Sequence, residues 1–355
     1  MNVNKLLTIV VAAYNKEHFL QRCLDSIADE RVMDDVEVLV INDGSKDRTL
    51  EIAKEYERRY PQYFHAIDKK NGNYGSVMNK GLELAKGKYF RTLDADDWYN
   101  KEAYVEFVKD LRLSDADLII CDGTIHYEQD GNEEQMHIDE EFEKNKDLMV
   151  NPRMWQNKTI KAWTKVQTMV FKTQIIRESG LRWLEGVFYT DTQYCYWPLR
   201  LVKTVRIVPY PVYVYLVGLD EQSMSPENVK KNYSHFLAVA NAMVDDFCVN
   251  YDPCSLTLKL QEKFVNQILC YIYSRLLTGK DETFASICQL HKKVCDIPGY
   301  LPVIEKATTF CGICYIKGLD KGSISSIQIN LYRLLLGIKS FIREIKGKYE
   351  ILVLY

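Results

Sequence analysis

Four short apolar, β-prone runs alternate with helical patterns in the first hundred residues, and this alternation limits the fold more than any other feature. The first run is continuously apolar, as expected of a parallel strand that is buried on both faces. Apolar side chains at intervals of three and four follow the runs and indicate amphipathic helices. Strand–helix alternation with short connections predicts an α/β domain built on a parallel sheet. The four runs are Leu6–Ala13, Val36–Ile41, Phe64–Ile67 and Lys88–Leu93.

Polar side chains follow the ends of these predicted strands. They are Asn15, Asp43, Asn71 and the stretch Asp94-Ala95-Asp96-Asp97. In open α/β sheets the ligand lies off the carboxyl ends of the strands, so one crevice is expected to collect them. Asn15 is also placed to cap the first helix, and Gly87 is placed to end the third.

Three carboxylates crowd the turn after the fourth strand. Asp94, Asp96 and Asp97 would repel one another and raise each other's pKa values unless a cation lay among them. Asp94 and Asp96 form an Asp-x-Asp pair that can point at one hard metal ion such as Mg²⁺ or Mn²⁺. The alternative interpretation is a solvated acidic turn. The chain has neither a glycine-rich turn after the first strand nor a Gly-Lys-Ser/Thr loop, so a metal is the expected counter-charge for a diphosphate.

The middle of the chain contains a further candidate carboxylate, Asp191, among aromatic residues at the predicted start of a helix. It could cap that helix, or burial could raise its pKa and make it a general base. Around it, Trp155–Phe171 is predicted to form strands that line a pocket, and Val205–Val208 and Val212–Val217 are predicted as two short strands. Gly218–Ser225 is predicted to be a lid.

From Pro226 onward the pattern becomes helical, so the predicted domains are 1–225 and 226–355. Apolar residues between Ile324 and Ile345 recur at spacings of three and four, which predicts an amphipathic helix. This helix could pack on the catalytic domain, or its basic face could lie on anionic lipid as a peripheral membrane contact. The basic residues are Arg333, Lys339, Arg343, Lys346 and Lys348.

The composition excludes some classes of function. Of the 355 residues, 47% are hydrophobic and 27% are charged, which allows a sizeable core. The net charge of −3 has no basic signature, so nucleic acid is not an expected partner. The ten cysteines are scattered singly apart from Cys311 and Cys314, which is typical of a reducing compartment. No run reaches the roughly 18 apolar residues that a membrane span needs, so the predicted location is the cytoplasm, including the inner face of the cell membrane.

Residues 5–100 resemble the family 2 glycosyltransferases, which are inverting enzymes of bacterial type with the GT-A fold. Four motifs in consistent order and spacing carry the resemblance. They are Ala13-Tyr14-Asn15, Val40–Ser45 with Asp47 and Thr49, Asn71–Gly81, and Leu93–Asp97. The resemblance implies a mostly parallel central sheet flanked by helices, followed by an α-helical extension.

The resemblance also implies roles for particular residues. Asp43 would contact the base, Asp94 would lie near the ribose and Asp96 would bind the metal, Mn²⁺ or Mg²⁺. The donor would be a nucleoside-diphosphate sugar, with UDP as the expected nucleotide. The acceptor would be a carbohydrate or a lipid-linked molecule in the synthesis of cell-surface polysaccharide or glycolipid. The donor-binding residues would be Ala13, Tyr14, Asn15, Asp43, Lys70, Asn71, Asn79, Asp94 and Ala95.

Two places depart from the family pattern. Thr190 stands where a glutamate is usual, while the following Asp191 is retained and would be the general base. Residues Tyr215–Gly218 lack the arginine that often precedes the lid, whose residues here would be Gln222, Ser223 and Ser225. Two alternatives therefore stay open: a nucleotidyl- or polyol-phosphate transferase on a related fold, and a non-catalytic protein that binds sugar nucleotides.

Overall fold

The computed structural model describes residues 5–138, 142–219, 223, 228, 231–275 and 281–297. The predicted lid residues Gln222 and Ser225, the pair Cys311 and Cys314, and the basic helix between Ile324 and Ile345 lie outside these residues. The chain divides into two compact units between Ser225 and Pro226, with Ser255–Gln261 belonging to the first unit.

The first unit begins with the predicted alternation of strands and helices. Its first four strands pair in parallel in the order β3-β2-β1-β4. Every residue of β2 is buried, as expected of a strand covered on both faces. The elements are β1 (Leu7–Ala13), α1 (Leu20–Ile27), β2 (Val36–Asn42), α2 (Thr49–Arg59), β3 (Phe64–Asp68), α3 (Asn73–Leu84) and β4 (Tyr89–Asp94).

The second half of this unit makes the sheet mixed. In the described part of the chain the strand order is β3-β2-β1-β4-β9-β6-β10-β5, with β7 paired to β6 and β8 paired to β10. The predicted α/β fold with a helix-flanked central sheet is confirmed, but β9 runs antiparallel between β4 and β6. The elements are β5 (Trp98–Tyr99), α4 (Lys101–Leu111), β6 (Leu118–Tyr127), β7 (Glu133–Met136), β8 (Asp147–Met149), α5 (Lys158–Trp163), β9 (Met169–Lys172), α6 (Thr173–Glu178), α7 (Asp191–Tyr196) and β10 (Thr204–Val217).

The two strands predicted around Pro209 and Pro211 are one long strand, β10. Its register against β6 shifts between Val208 and Tyr213, where both prolines lie. Proline has no N–H to donate to the ladder, so the pairing is interrupted there while the backbone stays extended. The prolines mark an irregularity in the strand and not its end.

The strands predicted across Trp155–Phe171 are wrong except at the end of the segment. Helix α5 occupies its centre, and only β9 is extended. The side chain of Asn157 accepts hydrogen bonds from the N–H groups of Thr159 and Ile160 and thereby caps α5. This asparagine was the signal for a helix that the alternating aromatic pattern concealed.

Two predicted helix caps are also wrong. Helix α1 begins at Leu20 without a side-chain cap, and the Asn15 side chain instead accepts a hydrogen bond from the N–H of Lys46 at 2.9 Å. Helix α3 ends at Leu84, before Gly87. Gly87 is needed for close approach, because a Cβ there would lie 2.4 Å from the backbone nitrogen of Thr8.

Three described helices follow the sheet: α8 (Tyr233–Asn250), α9 (Leu258–Arg275) and α10 (Asp281–Cys295). In the second unit, Leu237, Ala240 and Val244 form the buried stripe that their spacing predicts for α8. Lys293 of α10 donates hydrogen bonds to Asn241 and Asp245 of α8. Among the described residues, no helix is both long and apolar enough to cross a bilayer.

A buried ion-pair network joins α4 to β10 and β8 in the first unit. Arg206 donates two hydrogen bonds of 2.7 Å to the carboxylate of Asp110 and a third of 2.9 Å to Asp147. The Arg206 and Asp110 side chains are only 4% and 8% exposed. Charges so far from water stabilise the fold only while each of them keeps its partner.

We predict that Asp110→Asn lowers the free energy of unfolding of the first unit by about 3 kcal/mol, because it removes the more buried of the two carboxylates that pair with the Arg206 guanidinium. Chemical denaturation followed by tryptophan fluorescence measures this, since the five tryptophans all lie between Trp98 and Trp197. Glu106→Gln on the same helix is the control, because its ion pair with Lys109 is exposed. Equal effects of the two substitutions would contradict the prediction.

Candidate active site

Hydrogen bonds lock the loop after β1 to the loop after β2. Three successive N–H groups of the first loop donate to side chains of the second, and this explains the spacing of the polar residues there. Asn15 donates to Ser45 at 2.9 Å, Lys16 to Thr49 at 2.7 Å and Glu17 to Asp47 at 3.0 Å. Ala13 is buried as the last residue of β1, while Tyr14, which follows it at the carboxyl edge of the sheet, is 46% exposed.

Asp43 is the centre of a polar cluster after β2. Its Oδ1 accepts hydrogen bonds from the Lys69 ammonium at 2.6 Å and from the N–H of Gly72 at 3.0 Å. The side chain of Asn71 donates to the Asp43 carbonyl at 2.9 Å. Among the described residues, both hydrogen bonds to the carboxylate fall on Oδ1, so Oδ2 is the oxygen available to a ligand.

The structure brings Lys69 to Asp43, while the neighbouring Lys70 is the residue that the sequence named for donor binding, and that role stays a prediction. The Lys69 ammonium also donates to the Ser76 hydroxyl at 2.7 Å and to the Lys70 carbonyl at 2.8 Å, while the Lys70 side chain is exposed. Two adjacent lysines cannot be told apart by composition, and the extended backbone after β3 turns their side chains to opposite sides.

Asn79 holds the segment that leads to Asp191. Its amide donates to the Trp183 carbonyl and accepts from the Trp183 N–H, both at 3.0 Å, and it also donates to Glu185 at 2.8 Å. These bonds occupy both ends of the amide. In this structure Asn79 therefore supports the site, whereas the sequence indicated a direct donor contact.

Asp97 has a supporting role among the three crowded carboxylates. It is 1% exposed and accepts hydrogen bonds from the Tyr213 hydroxyl and from the N–H of Leu216. Burial, followed by the charges of Asp96 and Asp94, raises its pKa well above the ordinary value. The Tyr213 hydroxyl also accepts the N–H of Asp94 at 3.3 Å, so β10 holds the turn at both ends.

Arg91 lies behind this turn and was not singled out from the sequence. Its guanidinium is fully buried, donates to the Gln167 carbonyl at 2.7 Å, and lies 4.8 Å from the ring centre of Tyr99 and 5.7 Å from that of Tyr213. Aromatic faces stabilise a cation that has no carboxylate beside it. In a sequence, an arginine in a strand suggests a solvated face. Only the packing shows that Arg91 is buried against aromatic rings behind the acidic turn.

Asp96 and Asp94 have different surroundings. The Lys16 ammonium donates to Asp96 Oδ2 at 2.8 Å, and Arg22 donates to the Asp96 carbonyl at 2.9 Å. The Asp94 carboxylate has no hydrogen-bond partner within the described ranges. Burial first, then the charges of Asp96 and Asp191, raises the pKa of Asp94 to about 7, while Lys16 lowers it.

Asp191 is close enough to Asp94 for its charge to raise the pKa of that carboxyl. It begins α7, and burial raises its pKa while hydrogen bonds from its own N–H and that of Thr192 lower it. The pKa values of Tyr74 and Tyr215 are both raised, first by burial and then by contributions that include Asp94 and Asp191. The crevice thus has two carboxylates and two phenols close enough to perturb one another.

The donor set at the end of β4 fits a divalent cation that is shared with a ligand. In the part of the chain that the structure describes, no group of three or more His, Cys, Asp or Glu residues is arranged to hold a metal. Mg²⁺ is commonly held by one or two carboxylates together with substrate phosphates and water. Asp94 and Asp96 match that pattern, and the raised pKa of Asp94 means that a nearby cation would favour its ionised form.

The residues around Asp191 connect it to the predicted lid. Tyr189 has a positive φ of 67° and donates through its hydroxyl to the carbonyl of Ser223 at 2.9 Å. Thr190 is fully buried, and its hydroxyl has no hydrogen-bond partner among the described residues. Of the three predicted lid residues, Ser223 alone lies within the described chain, so the lid stays a prediction.

We predict that Asp94→Asn stabilises the metal-free protein at pH 8 by on the order of 1–2 kcal/mol. The pKa of Asp94 is higher in the folded protein than in the unfolded chain, so ionised Asp94 costs stability at high pH. The gain should therefore be full above about pH 7 and disappear as the pH falls towards about 4. Thermal unfolding in chelator across this range measures it.

Asp115→Asn is the control, because we expect it to change the stability of the protein at pH 8 in the opposite direction. Hydrogen bonds from Lys172 and Lys88 lower the pKa of Asp115, so its ionised form favours folding and its loss should slightly destabilise the protein at pH 8. If Asp94→Asn also destabilised the protein at pH 8, the carboxylate would have a stabilising partner that this arrangement lacks.

Comparison with known proteins agrees with the motifs. Residues 8–179 match the family model of Glycosyl transferase family 2. Over 125 residues the chain is 34% identical to the putative glycosyltransferase EpsH of Bacillus subtilis, which covers 35% of this chain and 36% of that protein. Over 248 residues it is 24% identical to the uncharacterized glycosyltransferase EpsJ of the same organism, covering 66% and 70%. The matched segment thus spans about a third of EpsH.

The fold is also similar to that of a solved structure. S. aureus TarS 1–349 in complex with UDP-GlcNAc aligns with a TM-score of 0.64 and 16% identity, covering 97% of this chain and 93% of that one. At this identity the likeness concerns the fold alone, a central sheet flanked and followed by helices. Residues 8–179, just under half of the chain, match the family 2 glycosyltransferases and confirm the resemblance that the motifs indicated.

Proposed function

We propose that this protein transfers a sugar from a nucleoside-diphosphate sugar to an acceptor hydroxyl. The observation that carries the proposal is that Asp94 ends β4 at the carboxyl edge of the sheet, close enough to Asp96 and Asp191 for their charges to raise its pKa. That edge is where ligands bind in open α/β sheets. The family match covers all of the strands that form the parallel half of this edge.

UDP is the nucleotide that we propose for the donor. Asp43, which is buried directly after β2, offers its carboxylate oxygen Oδ2 as an acceptor for the N–H of a base. Tyr14 is exposed nearby and offers an aromatic face for stacking. The structural relative TarS was solved with UDP-GlcNAc and with UDP, which is consistent with this choice.

We propose a divalent cation, Mn²⁺ or Mg²⁺, as the cofactor, held by Asp96 with Asp94 beside it. When bound, it would stabilise the negative charge that develops on the leaving diphosphate. The residues of the chain supply the remaining steps: Asp43 orients the base, Asp97 and Tyr213 hold the turn, and Asn79 holds the segment before Asp191. The fixed geometry lowers the entropic cost of bringing donor and acceptor together.

Asp191 is the general base in this proposal. Burial raises its pKa, which brings its proton affinity closer to that of a working base at neutral pH. As the acceptor oxygen attacks the anomeric carbon, its proton passes to Asp191, the bond to the diphosphate oxygen breaks, and the configuration inverts. A single displacement needs no nucleophile on the protein.

The acceptor that we propose is a carbohydrate or a lipid-linked saccharide of a cell-surface polymer. Its support is the names of relatives: over 113 residues the chain is 37% identical to the hyaluronan synthase of Pasteurella multocida, covering 31% of this chain and 11% of that protein. A peripheral membrane contact through the basic residues between Arg333 and Lys348 stays a prediction, because that segment lies outside the described residues.

The first experiment is a nucleotide-release assay across UDP-, GDP- and dTDP-sugars, with Mn²⁺, with Mg²⁺ and with chelator. We expect one donor to release a nucleoside diphosphate only with a divalent cation, and Asp96→Ala to abolish the release because the leaving group loses its counter-charge. Release of pyrophosphate or a nucleoside monophosphate would indicate a nucleotidyl- or polyol-phosphate transferase instead. Donor binding without transfer or hydrolysis would indicate a non-catalytic protein.

We further predict that Asp191→Asn lowers kcat by about 10²–10⁴-fold, because asparagine cannot accept the proton of the acceptor. Binding of the donor, measured by calorimetry, should change little. Asp34→Asn, which changes an exposed carboxylate in the same way, should leave kcat unchanged. If Asp191→Asn kept near-normal turnover, another group would have to be the base.

A further inference from the structure

Lys16 lies beside the proposed metal ligand Asp96 and has no role in the proposed reaction. Its ammonium lies 2.8 Å from Asp96 Oδ2, and the two side chains are only 22% and 16% exposed. Among the ion pairs of the described residues, it is the one cation paired with a carboxylate of the Asp94–Asp97 turn. It also lowers the pKa of Asp94, so its charge acts on a second carboxylate of the turn.

The backbone of Lys16 is anchored, while its side chain has few restraints. Its N–H donates to the Thr49 hydroxyl at 2.7 Å, and its carbonyl accepts from the N–H groups of Phe19 and Leu20. The ammonium hydrogen-bonds Asp96 and lies 5.5 Å from the ring centre of Phe19. A lysine on four rotatable carbons can leave one such partner without any movement of the loop.

A divalent cation on Asp96 would stand close to this ammonium. Metal–oxygen distances are about 2.1 Å for Mg²⁺, so a metal and an ammonium on the same carboxylate would lie within about 5 Å of each other. Like charges at that distance repel strongly in a partly buried site. Asp96 therefore favours one of the two cations at a time.

We propose that Lys16 holds the place of the divalent cation at Asp96 and is displaced when the metal binds. In the metal-free protein its charge offsets the repulsion among the crowded carboxylates. A bound diphosphate brings negative charge for both cations, so metal and donor should bind more tightly together than either does alone. This inference rests on the proposed function, because it takes Asp96 as the metal ligand.

The test compares Lys16→Met with the wild-type 355-residue chain at pH 8. Calorimetric titration with Mn²⁺ alone should show about tenfold tighter binding by the variant, because the competing charge is gone. In chelator, thermal unfolding of the variant should occur several degrees lower, and added Mn²⁺ should restore it. Lys46→Met removes an exposed lysine from the neighbouring loop and should change neither quantity.

Lys16→Gln keeps a hydrogen-bond donor to Asp96 without the charge and should also bind Mn²⁺ more tightly, which preserves the test if the methionine variant folds poorly. Unchanged or weaker Mn²⁺ binding by both variants, or no Mn²⁺ binding by any form of the protein, would overturn the proposal that the metal displaces Lys16 from Asp96. The nucleotide-release assay on wild-type protein distinguishes the two failures. Metal-dependent release together with unchanged Mn²⁺ affinity in both variants would overturn the displacement of Lys16 but would still support the proposed sugar transfer.

Discussion

The repulsion among carboxylates at the end of β4 is the constraint on which the rest of the site depends. Each acidic group is accommodated differently: Asp97 by hydrogen bonds from β10, Asp96 by an ion pair with Lys16, and Asp94 by neither. Burial, followed by the charges of Asp96 and Asp191, raises the pKa of Asp94, so its ionised form is a local cost in stability. Such a cost at a crevice is the expected sign of a site that a ligand completes.

The parallel half of the sheet supplies the loops of the site, and the mixed half supplies the strand behind the acidic turn. Hydrogen bonds join the loops that follow the parallel strands β1 and β2, and Asp43 lies at the start of the second loop. The mixed half brings β10 behind the turn and places Tyr213 against it. Asn79, on a helix of the first half, holds Trp183 in the second and so sets the approach to Asp191.

Much of the fold and the positions of the acidic residues could be predicted because they depend on local periodicity. Apolar runs specified β1 to β4, and the strand-end rule placed Asp43 and Asp94 at one edge. The antiparallel strand β9 and the continuity of β10 could not be read in the same way. Strand direction and register depend on which strands pair, and neighbouring residues carry little of that information.

The sequence by itself determined the order of strands and helices, the carboxylates at the strand ends and the family that their spacing indicates. Only the tertiary structure decided which side chain meets which carboxylate. Lys16 pairs with Asp96 across 80 residues, and Tyr213 reaches Asp97 across 116. Such contacts depend on packing in three dimensions. Of the two neighbouring lysines, Lys69 hydrogen-bonds Asp43 while the Lys70 side chain is exposed, because successive side chains of an extended backbone point in opposite directions.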